Sequence, residues 1–550
     1  MAHVVTQACC ADASCVFACP VNAIHPTPDE PDFGLADMLY IDPVSCVDCG
    51  ACVGACPVGA IVPDTKVPAN QLPFVDINAL FHAEPRTYPI QAPITPIIRK
   101  APGPLHVAIV GSGPAAMYAA DELLKQDDVH VTLLDRLPTP HGLVRSGVAP
   151  DHVETKSIDK LFRQIEDQRG FHYLLNVNVG TDISHEDLLE HCHAVIYATG
   201  ASQDRKLDIP GEDLPGSESA TEFVAWYNGH PDHAGRTFDL SGDRAVIIGN
   251  GNVALDAARL LSIDPESLAA TDISEHALAA LRASAVREVV ILGRRGIAQA
   301  AFTLPELIGL LSHEEIEIVV EGADLDQPIA DPMANRKATA LREAVARPTA
   351  PGSRRIVFRF AESPAELIGD GRVTGLRVAH NDLVELDGHI RAVPTDRRET
   401  IDTPLVLRAI GYQGVAVPGV PFDDEARVIP NVEGRVSGTP RAYAVGWIKR
   451  GPTGFIGTNK SCSEETIGHV IADFNAGVLV TRGSRESLRA AIDRGGLRAV
   501  NLRGWRAIDR AERRAGAGRP RRKITSVDEL LEVAQSERGP RRGLSKMVRA

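Results

Sequence analysis

The chain has 550 residues and a formal net charge of −14 at pH 7, which is enough length for about three or four domains. No apolar run reaches the roughly 18 residues of a membrane-spanning helix, and the residues after Met1 lack the pattern of a secretory signal. Eight of the ten cysteines lie in the first 56 residues, which favours metal ligation in a reducing compartment over disulfides. We therefore expect a cytoplasmic protein without a membrane span.

Charge is distributed unevenly along the chain. Residues 1–60 contain seven acids and no Lys or Arg, whereas residues 501–550 contain 14 Lys or Arg and six acids. An acidic module beside a basic surface would dock by electrostatic complementarity. The alternative is that the C-terminal arginines coat amphipathic helices. No motif supports nucleic-acid binding, so we expect no nucleic-acid partner.

The densest motif is a cysteine run between residues 46 and 57. Cys46, Cys49 and Cys52 are spaced two residues apart, and Cys56 follows after three more residues and precedes a proline. This spacing is typical of bacterial ferredoxins, in which three cysteines hold one iron–sulfur cluster and the fourth holds another. Structural zinc sites normally use two separated cysteine pairs, and CxxC cysteines rarely have disulfide geometry. The run predicts a 4Fe–4S cluster.

A second half of this motif lies upstream. The segments 19–24 and 56–61 share the pattern CP-V-x-A-I, which indicates an internal repeat and a two-cluster module at residues 1–66. We expect Cys19 to complete the cluster of the run and Cys56 to join Cys9 and Cys15. Three ligands favour 3Fe–4S over 4Fe–4S at that second site. The doublet at residues 9 and 10 leaves open which cysteine is the ligand, and Cys10 would allow 4Fe–4S.

Residues 67–104 are predicted to form a proline-rich linker. Nine prolines occur between residues 61 and 104, which is typical of an extended and semi-rigid connection. Residues 74–81 could still pack on a domain.

A first dinucleotide fingerprint begins at residue 105. A predicted strand over 105–110 leads into Gly111 and Gly113 and then a helix, and the next strand ends in Asp135. The glycines allow the backbone to approach a pyrophosphate at the helix N-terminus, and the acid is placed to hold a ribose. The Thr-Gly turn after a strand at 194–197 is common in two-dinucleotide flavoproteins. We assign residues 105–204 to the first part of an FAD-binding domain.

A second fingerprint follows at residues 245–254, and we assign residues 205–403 to its domain. Its later strand, 288–292, ends in Arg294 and Arg295 instead of an acid. Paired arginines form bidentate bonds to a 2′-phosphate, which predicts NADP(H) as the nucleotide. Predicted strands at 355–361 and 373–378 belong to the same domain. Residues 404–550 are predicted to return to the FAD-binding domain, with a glycine-rich flavin segment at 446–457 and C-terminal helices.

These motifs resemble the adrenodoxin reductase family of ferredoxin–NADP⁺ reductases. The resemblance rests on GLVRSGVAPDH (142–152), GNGNVALDAAR (249–259), GRRGIAQAAFT (293–303) and GWIKRGPTGFIG (446–457). The N-terminal segment resembles bacterial seven-iron ferredoxins, although its first cysteine spacing is shorter. The whole chain is therefore similar to the bacterial fused ferredoxin/ferredoxin–NADP reductases.

The resemblance implies specific site residues. Flavin contacts are expected from Ala115, Asp135, Leu143, Val179, Trp447, Gly454, Phe455 and Ile456. NADP(H) contacts are expected from Arg205, Asn250, Gly251, Asn252, Val253, Arg294, Arg295, Glu306 and Gly454. His152 and Glu306 would line the active site as catalytic groups. The family's second acid, three residues after Glu306, falls on Gly309, which puts a two-acid proton relay in doubt.

The expected fold is an α+β two-cluster ferredoxin domain followed by an α/β reductase with Rossmann-like FAD and NADP domains. The expected reaction passes hydride from NADPH to FAD and single electrons to iron–sulfur clusters and external acceptors, such as ferredoxins or haem monooxygenases. The alternative is a flavin/iron–sulfur electron-input subunit of a larger oxidoreductase such as glutamate synthase. The sequence contains no DNA-binding motif that would support a non-catalytic redox sensor. It also contains no CxxC motif near the flavin motifs, as a disulfide reductase would need.

Overall fold

The computed structural model describes residues 2–84, 86, 88–92, 96–98, 104–481 and 483–536. Part of the predicted linker, residues 99–103, and the end of the basic tail, residues 537–550, lie outside these ranges. Within the described part of the chain, no helix is both long enough and apolar enough to cross a bilayer.

The N-terminal module consists of two similar halves. Its elements are β1 (His3–Val5), α1 (Ser14–Ala18), β2 (Ile24–His25), β3 (Tyr40–Ile41), α2 (Ala51–Ala55) and β4 (Ile61–Pro63). Strands β1 and β4 pair antiparallel, as do β2 and β3. Each helix begins after a residue with a left-handed backbone, Ala13 at φ 58° and Gly50 at φ 71°, and each ends at a cysteine, Cys19 or Cys56. The halves agree with the repeat in the sequence.

The start of the predicted linker is folded against this module. Helix α3 (Pro73–Phe81) buries Phe74 and Ile77 completely. The side chain of Asn78 accepts hydrogen bonds from the backbone amides of Val5 (3.2 Å) and Ile41 (2.8 Å). This segment therefore packs on a domain, which is the alternative stated for residues 74–81, because an apolar face at helical spacing outweighs the prolines around it.

The flavin-type domain begins with a parallel sheet. Its first elements are β5 (Leu105–Val110), α4 (Pro114–Leu124), β6 (Val129–Asp135), α5 (Leu143–Ser146), α6 (Val153–Lys156), α7 (Asp159–Glu166), β7 (Phe171–Leu175), α8 (His185–His191) and β8 (Ala194–Tyr197). Strand β5 lies between β6 and β8 and is parallel to both. The chain then leaves the domain through the short strand β9 (Gln203–Asp204).

The second nucleotide domain follows. Its elements are β10 (Ser217–Ser219), α9 (Ala220–Tyr227), β11 (Arg244–Ile248), α10 (Asn252–Ser262), α11 (Pro265–Leu268), α12 (Glu275–Arg282), β12 (Glu288–Gly293), α13 (Leu304–Leu311), β13 (Glu317–Glu321), α14 (Pro332–Val345), β14 (Arg355–Phe360), β15 (Glu362–Ile368), β16 (Gly375–Leu386), β17 (His389–Asp402) and β18 (Leu405–Arg408). Six strands form one sheet in the order β10-β18-β11-β12-β14-β13, and β15, β16 and β17 form a separate sheet.

One expectation for this domain needs correction. Strand β18 pairs parallel with β10 and β11, so it completes the NADP-type sheet, and the boundary predicted between residues 403 and 404 lies too early. The strand predicted at 373–378 begins at Gly375 and pairs antiparallel with β15 and β17. It lies in the predicted domain, but in the smaller sheet, because its partners along the chain are hairpin neighbours. The strand predicted at 355–361 does lie in the main sheet.

The chain returns through strand β19 (Tyr412–Gln413), which pairs antiparallel with β9. The two crossings between the nucleotide domains therefore lie side by side as one ribbon. The remaining elements are β20 (Asn431–Val432), β21 (Arg435–Val436), β22 (Ala442–Ala444), α15 (Trp447–Arg450), α16 (Thr458–Asn475), α17 (Arg485–Arg494), α18 (Leu502–Ala515) and α19 (Val527–Ser536). Strand β22 joins β8, which gives a seven-stranded sheet and confirms the predicted fold class.

The described C-terminal arginines pair with acids of the reductase. Arg513 contacts Asp159 over 2.8 Å, and Arg521 contacts Asp509 over 2.9 Å. Trp505 and Ile508 of α18 are buried. This part of the basic segment therefore coats an amphipathic helix, as the alternative interpretation of the sequence had it.

Candidate active site and metal centres

The thiols of the N-terminal module fall into two groups. Cys52 faces Cys19, Cys46 and Cys49, and burial together with repulsion from these thiols raises the pKa of Cys52 to about 11. Cys15 faces Cys9 and Cys56 and, to a smaller extent, Cys52. Each group takes cysteines from both halves of the module, which is the crossed arrangement that the repeat predicts.

The environment of the thiols fits iron–sulfur clusters. Burial raises the pKa of the Cys9 thiol to about 12, so a thiolate exists here only when a bound cation offsets its charge. The backbone amide of Ala23 donates to Cys19 Sγ, and that of Ala60 donates to Cys56 Sγ, each over 3.3 Å. Such amides stabilise the negative sulfur of a ligating cysteine.

Cys10 lies on the other side of its loop. Its side chain is buried in the apolar core of the flavin-type domain. Its carbonyl oxygen accepts a hydrogen bond from the Gly457 amide over 2.7 Å. Cys9 and Cys56 also contribute to raising the pKa of the Cys10 thiol, so Cys10 packs against the reductase but remains near the second thiol group.

The first fingerprint forms a cradle that side chains would block. Gly111 has φ 105°, and a Cβ there would lie 2.4 Å from the Ala198 carbonyl oxygen. A Cβ on Gly142 would lie 2.9 Å from the Cα of Gly113, which is the residue before helix α4. Asp135 accepts a hydrogen bond from Ser112 Oγ over 2.5 Å. The backbone approach and the carboxylate fit a dinucleotide at the helix N-terminus.

The other predicted flavin residues surround this cradle. Leu143 begins α5, and Val179 is buried next to β6 and β8. A Cβ on Gly446 would lie 2.6 Å from the Cβ of Ala115, so the glycine-rich segment 446–457 reaches the first turn of α4. The indole Nε1 of Trp447 donates to the Thr453 carbonyl over 3.0 Å, which closes this segment into a loop.

Two acids that sequence reasoning missed hold the loop 137–152. Glu166 accepts hydrogen bonds from His141 Nε2 (3.0 Å), Tyr173 Oη (3.0 Å) and Trp505 Nε1 (3.1 Å). Glu512 binds Arg145 through two hydrogen bonds of 2.9 and 2.5 Å. Both acids are buried. No local motif marks them, because their partners lie far away in the sequence.

One cavity of about 820 Å³ joins the two nucleotide domains. Its lining includes most of the expected NADP(H) residues and three flavin residues: Arg205, Asn250, Gly251, Asn252, Val253, Arg294, Arg295, Trp447, Gly454 and Phe455. Glu306 and Ile456 are not among its lining residues. Among the described residues, the guanidinium groups of Arg294 and Arg295 have no ion-pair partner. Two unpaired cations at the end of β12 fit the 2′-phosphate of NADP(H).

A charged cluster centred on Arg259 lies beside this cavity. Arg259 is buried and binds Asp151 through two hydrogen bonds of 2.7 and 3.0 Å. Asp256 Oδ1 (2.7 Å) and His152 Nε2 (2.9 Å) also lie within hydrogen-bond distance of its Nη2, so they and Asp151 Oδ1 share the two Nη2 hydrogens. Although burial acts in the opposite direction, the guanidinium holds the pKa of the Asp151 carboxyl at about 2. Arg259 fills the space that a metal ion would need between His152, Asp256 and Glu306.

Glu306 completes this cluster from the first turn of α13. Its Oε2 lies 3.6 Å from His152 Nε2 and is buried without a hydrogen-bond partner among the described residues. Burial raises the pKa of the Glu306 carboxyl. The structure thus brings the two predicted catalytic residues together. Arg259 and Asp256, three residues apart on α10, carry the only signal that could have revealed this cluster, namely two opposite charges on the buried helix of the second fingerprint.

Comparisons with known proteins agree with both parts of the chain. Residues 8–60 match the 4Fe-4S dicluster domain family, and residues 105–299 match the pyridine nucleotide-disulphide oxidoreductase family. The probable ferredoxin/ferredoxin–NADP reductase of Mycobacterium tuberculosis is 50% identical over 100% of this chain and 97% of its own length. The mitochondrial NADPH:adrenodoxin oxidoreductase of Arabidopsis thaliana is 41% identical over 78% of this chain and 95% of its own length.

A solved structure supports the same assignment. Mycobacterium tuberculosis FprA in complex with NADPH superposes with a TM-score of 0.76 at 45% identity, and it covers 78% of this chain and 99% of FprA. The two nucleotide domains therefore have an FAD/NADP(H) reductase fold, and a dicluster domain precedes them. The chain belongs to the ferredoxin/ferredoxin–NADP reductase family.

Proposed function

We propose that the protein is an NADPH-dependent ferredoxin reductase that passes electrons through its own iron–sulfur module to external acceptors. The observation that carries the proposal is the shared cavity, in which Arg294 and Arg295 of one domain face Trp447 and Gly454 of the other. Arg294 and Arg295 would hold the 2′-phosphate of NADPH in a cavity that the flavin segment also lines. FAD, when bound, accepts hydride and releases single electrons.

The residues of the chain supply binding and orientation. Gly111 and Gly113 admit the FAD pyrophosphate, and Asp135 holds its ribose. The remaining flavin contacts come from Ala115, Leu143, Val179, Trp447, Gly454, Phe455 and Ile456. Arg205 and the segment 250–253 hold NADP(H) together with the two arginines, and Gly454 contacts both nucleotides.

His152 and Glu306 act as a fixed pair near the nicotinamide end of the cavity. Because an arginine can only donate, the bond from Arg259 makes His152 Nε2 an acceptor and leaves its proton on Nδ1. Burial raises the pKa of the Glu306 carboxyl, which favours proton exchange at this residue. In this proposal His152 orients the substrate and Glu306 exchanges the proton.

The module holds two clusters. Cys19, Cys46, Cys49 and Cys52 would hold a 4Fe–4S cluster, and Cys9, Cys15 and Cys56 would hold the second one. Three thiols favour 3Fe–4S there, and Cys10, which packs against the reductase core, is the alternative fourth ligand. The acceptors are one-electron proteins such as ferredoxins, with haem monooxygenases as further candidates. Ten unpaired cysteines favour a reducing, cytoplasmic location.

Low-temperature EPR of anaerobically purified protein tests this function. Spectra are recorded as isolated and after NADPH, with FAD and iron assayed in the same samples. One FAD per chain and a 3Fe–4S signal that decreases with NADPH are expected. Clusters that stay oxidised while the flavin bleaches would show that the module does not receive electrons from its own reductase. A second 4Fe–4S signal in place of 3Fe–4S would refute the assignment of three ligands.

A further inference from the structure

We infer that the iron–sulfur module is seated permanently on its own reductase and occupies the face through which a separate ferredoxin would reach the flavin segment. The inference rests on the proposed function and adds the identity of the first partner: residues 2–81 of the same chain. Three contacts carry it, and together they engage both nucleotide domains.

The first contact explains an unusual glycine. Gly309 lies inside helix α13, where glycine is less favourable than alanine. A Cβ at this position would lie 2.0 Å from the Nε2 atom of Gln7. The Gln7 side chain of the module occupies the space that a side chain at position 309 would enter.

The second contact lies beside the flavin segment. A Cβ on Gly457 would lie 2.3 Å from the Asp12 amide nitrogen and 2.4 Å from the Cys10 carbonyl oxygen. The Gly457 amide instead donates to that carbonyl over 2.7 Å. One turn later, Lys460 Nζ donates to Ser14 Oγ over 2.9 Å. The loop that carries Cys9 and Cys10 is thus hydrogen-bonded to the end of the flavin segment, residues 446–457.

The third contact caps α13. The amide of Leu304, the first residue of this helix, donates to Asp37 Oδ2 over 2.7 Å. Lys337 Nζ lies 3.9 Å from the same oxygen. A first-turn amide has no partner within its own helix, so its only bond here comes from the module. Asp37 therefore acts as an N-terminal anion for a helix of the other domain.

The seated module leaves its outer loop free. Cys49 is exposed, and the side chains of Val44 and Val47 are 90% and 59% exposed. An external acceptor therefore meets this loop, while the loop of Cys10 and Asp12 stays covered.

Hydrogen exchange of the full-length holoprotein tests the inference without relying on turnover. The amides of Leu304 and Gly457 are bonded only across the interface, so we expect both to be protected, with and without NADPH. Asp37→Ala should accelerate exchange at Leu304 by about tenfold or more, since one charged hydrogen bond is lost. The matched control is Asp29→Ala, an exposed acid of the same module, which should change neither amide.

A second variant perturbs the contact between Gly309 and Gln7. Gly309→Glu should accelerate exchange at Gly457, in the other domain, by about tenfold or more if the module is displaced as one unit. The FAD and iron contents and the NADPH–ferricyanide activity are measured in the same preparations, so that loss of the proposed function is recognised separately. Unprotected Leu304 and Gly457 amides in the wild-type protein would overturn the inference, even if the enzyme were fully active.

Discussion

The Nη2 atom of Arg259 donates a hydrogen bond to the Nε2 atom of His152 over 2.9 Å. The same guanidinium is held by Asp151 and Asp256, so its position is defined from two sides. An imidazole whose Nε2 accepts is neutral and carries its proton on Nδ1. The cluster therefore sets the tautomer of His152 through a residue that does not itself touch the expected nicotinamide.

Arg259→Lys is expected to slow flavin reduction by NADPH by about tenfold or more, with a smaller effect on the KM for NADPH. An ammonium cannot bind Asp151 in bidentate fashion and still reach His152. Stopped-flow flavin reduction measures the rate, and ¹⁵N NMR of the histidines reports the tautomer. Arg282→Lys, an exposed arginine paired with Glu266, is the matched control. A slower enzyme with an unchanged His152 tautomer would indicate a purely structural effect.

Replacing Arg294 or Arg295 by alanine is expected to raise the KM for NADPH by about 10- to 100-fold, because a charge-assisted hydrogen bond contributes about 1.5–3 kcal/mol. The kinetic constants with NADH, which lacks the 2′-phosphate, should change little. Steady-state kinetics with both nucleotides measure the specificity ratio. Arg287→Ala is the control, since Arg287 precedes the opposite end of the same strand, β12. Equal losses with NADPH and NADH would contradict a phosphate contact.

Cys9→Ala is expected to lose the second cluster, whereas Cys10→Ala should retain it. The reason is the orientation of the doublet, in which Cys9 faces Cys15 and Cys56 while Cys10 packs in the reductase core. Iron and sulfide analysis with EPR distinguishes the two variants. Loss of the same signal from Cys10→Ala, with the thermal midpoint unchanged, would make Cys10 the ligand. The pair of variants is its own control, since both remove one buried thiol.

Four histidines stack across the flavin-type sheet and predict a pH-dependent stability. His193, His106, His130 and His172 follow one another with ring centroids 5.7, 5.2 and 6.1 Å apart. Burial, and then repulsion from Arg485, lowers the pKa of His172 from 6.5 to about 4, and Glu486 opposes this shift. The unfolded chain therefore binds the proton first. Stability is complete above pH 6.5 and is lost progressively as the pH falls towards about 4.

His172→Gln should reduce this loss by about 1 kcal/mol between pH 7 and pH 5, after allowance for partial solvent screening. Thermal midpoints at the two pH values measure the difference. His389→Gln, at an exposed position of β17, should leave the pH dependence as in the wild type. The same pH dependence in all three proteins would show that His172 does not contribute.

Local patterns in the sequence were sufficient for the nucleotide folds. The fingerprints at Gly111 and Gly249 combine strand, tight turn and helix within a few residues, and such local rules survive folding. The cysteine repeat likewise predicts which cysteines come together in each group. The prediction for strand β18 was wrong because parallel strands pair over long sequence separations, so the residues next to β18 in the chain do not show which sheet it joins.

The contacts that assemble the candidate site were beyond sequence reasoning for the same reason. Gln7 has no motif, and its importance appears only against Gly309. Arg259 lies in a recognisable phrase, but two of its three partners, Asp151 and His152, lie about 107 residues away in the sequence. A buried arginine becomes interpretable only when the acids that compensate its charge are known.

The paired ribbon of β9 and β19 joins the two nucleotide domains at one place, and the N-terminal module ties them together at others. These interdomain contacts oppose the domain rotation by which a two-domain enzyme usually admits and releases its nucleotide. With the module seated on both domains, we expect NADP(H) to exchange through side-chain movement around Arg205 and Arg294, which line the cavity, and the cysteine groups to stay at one distance from this cavity.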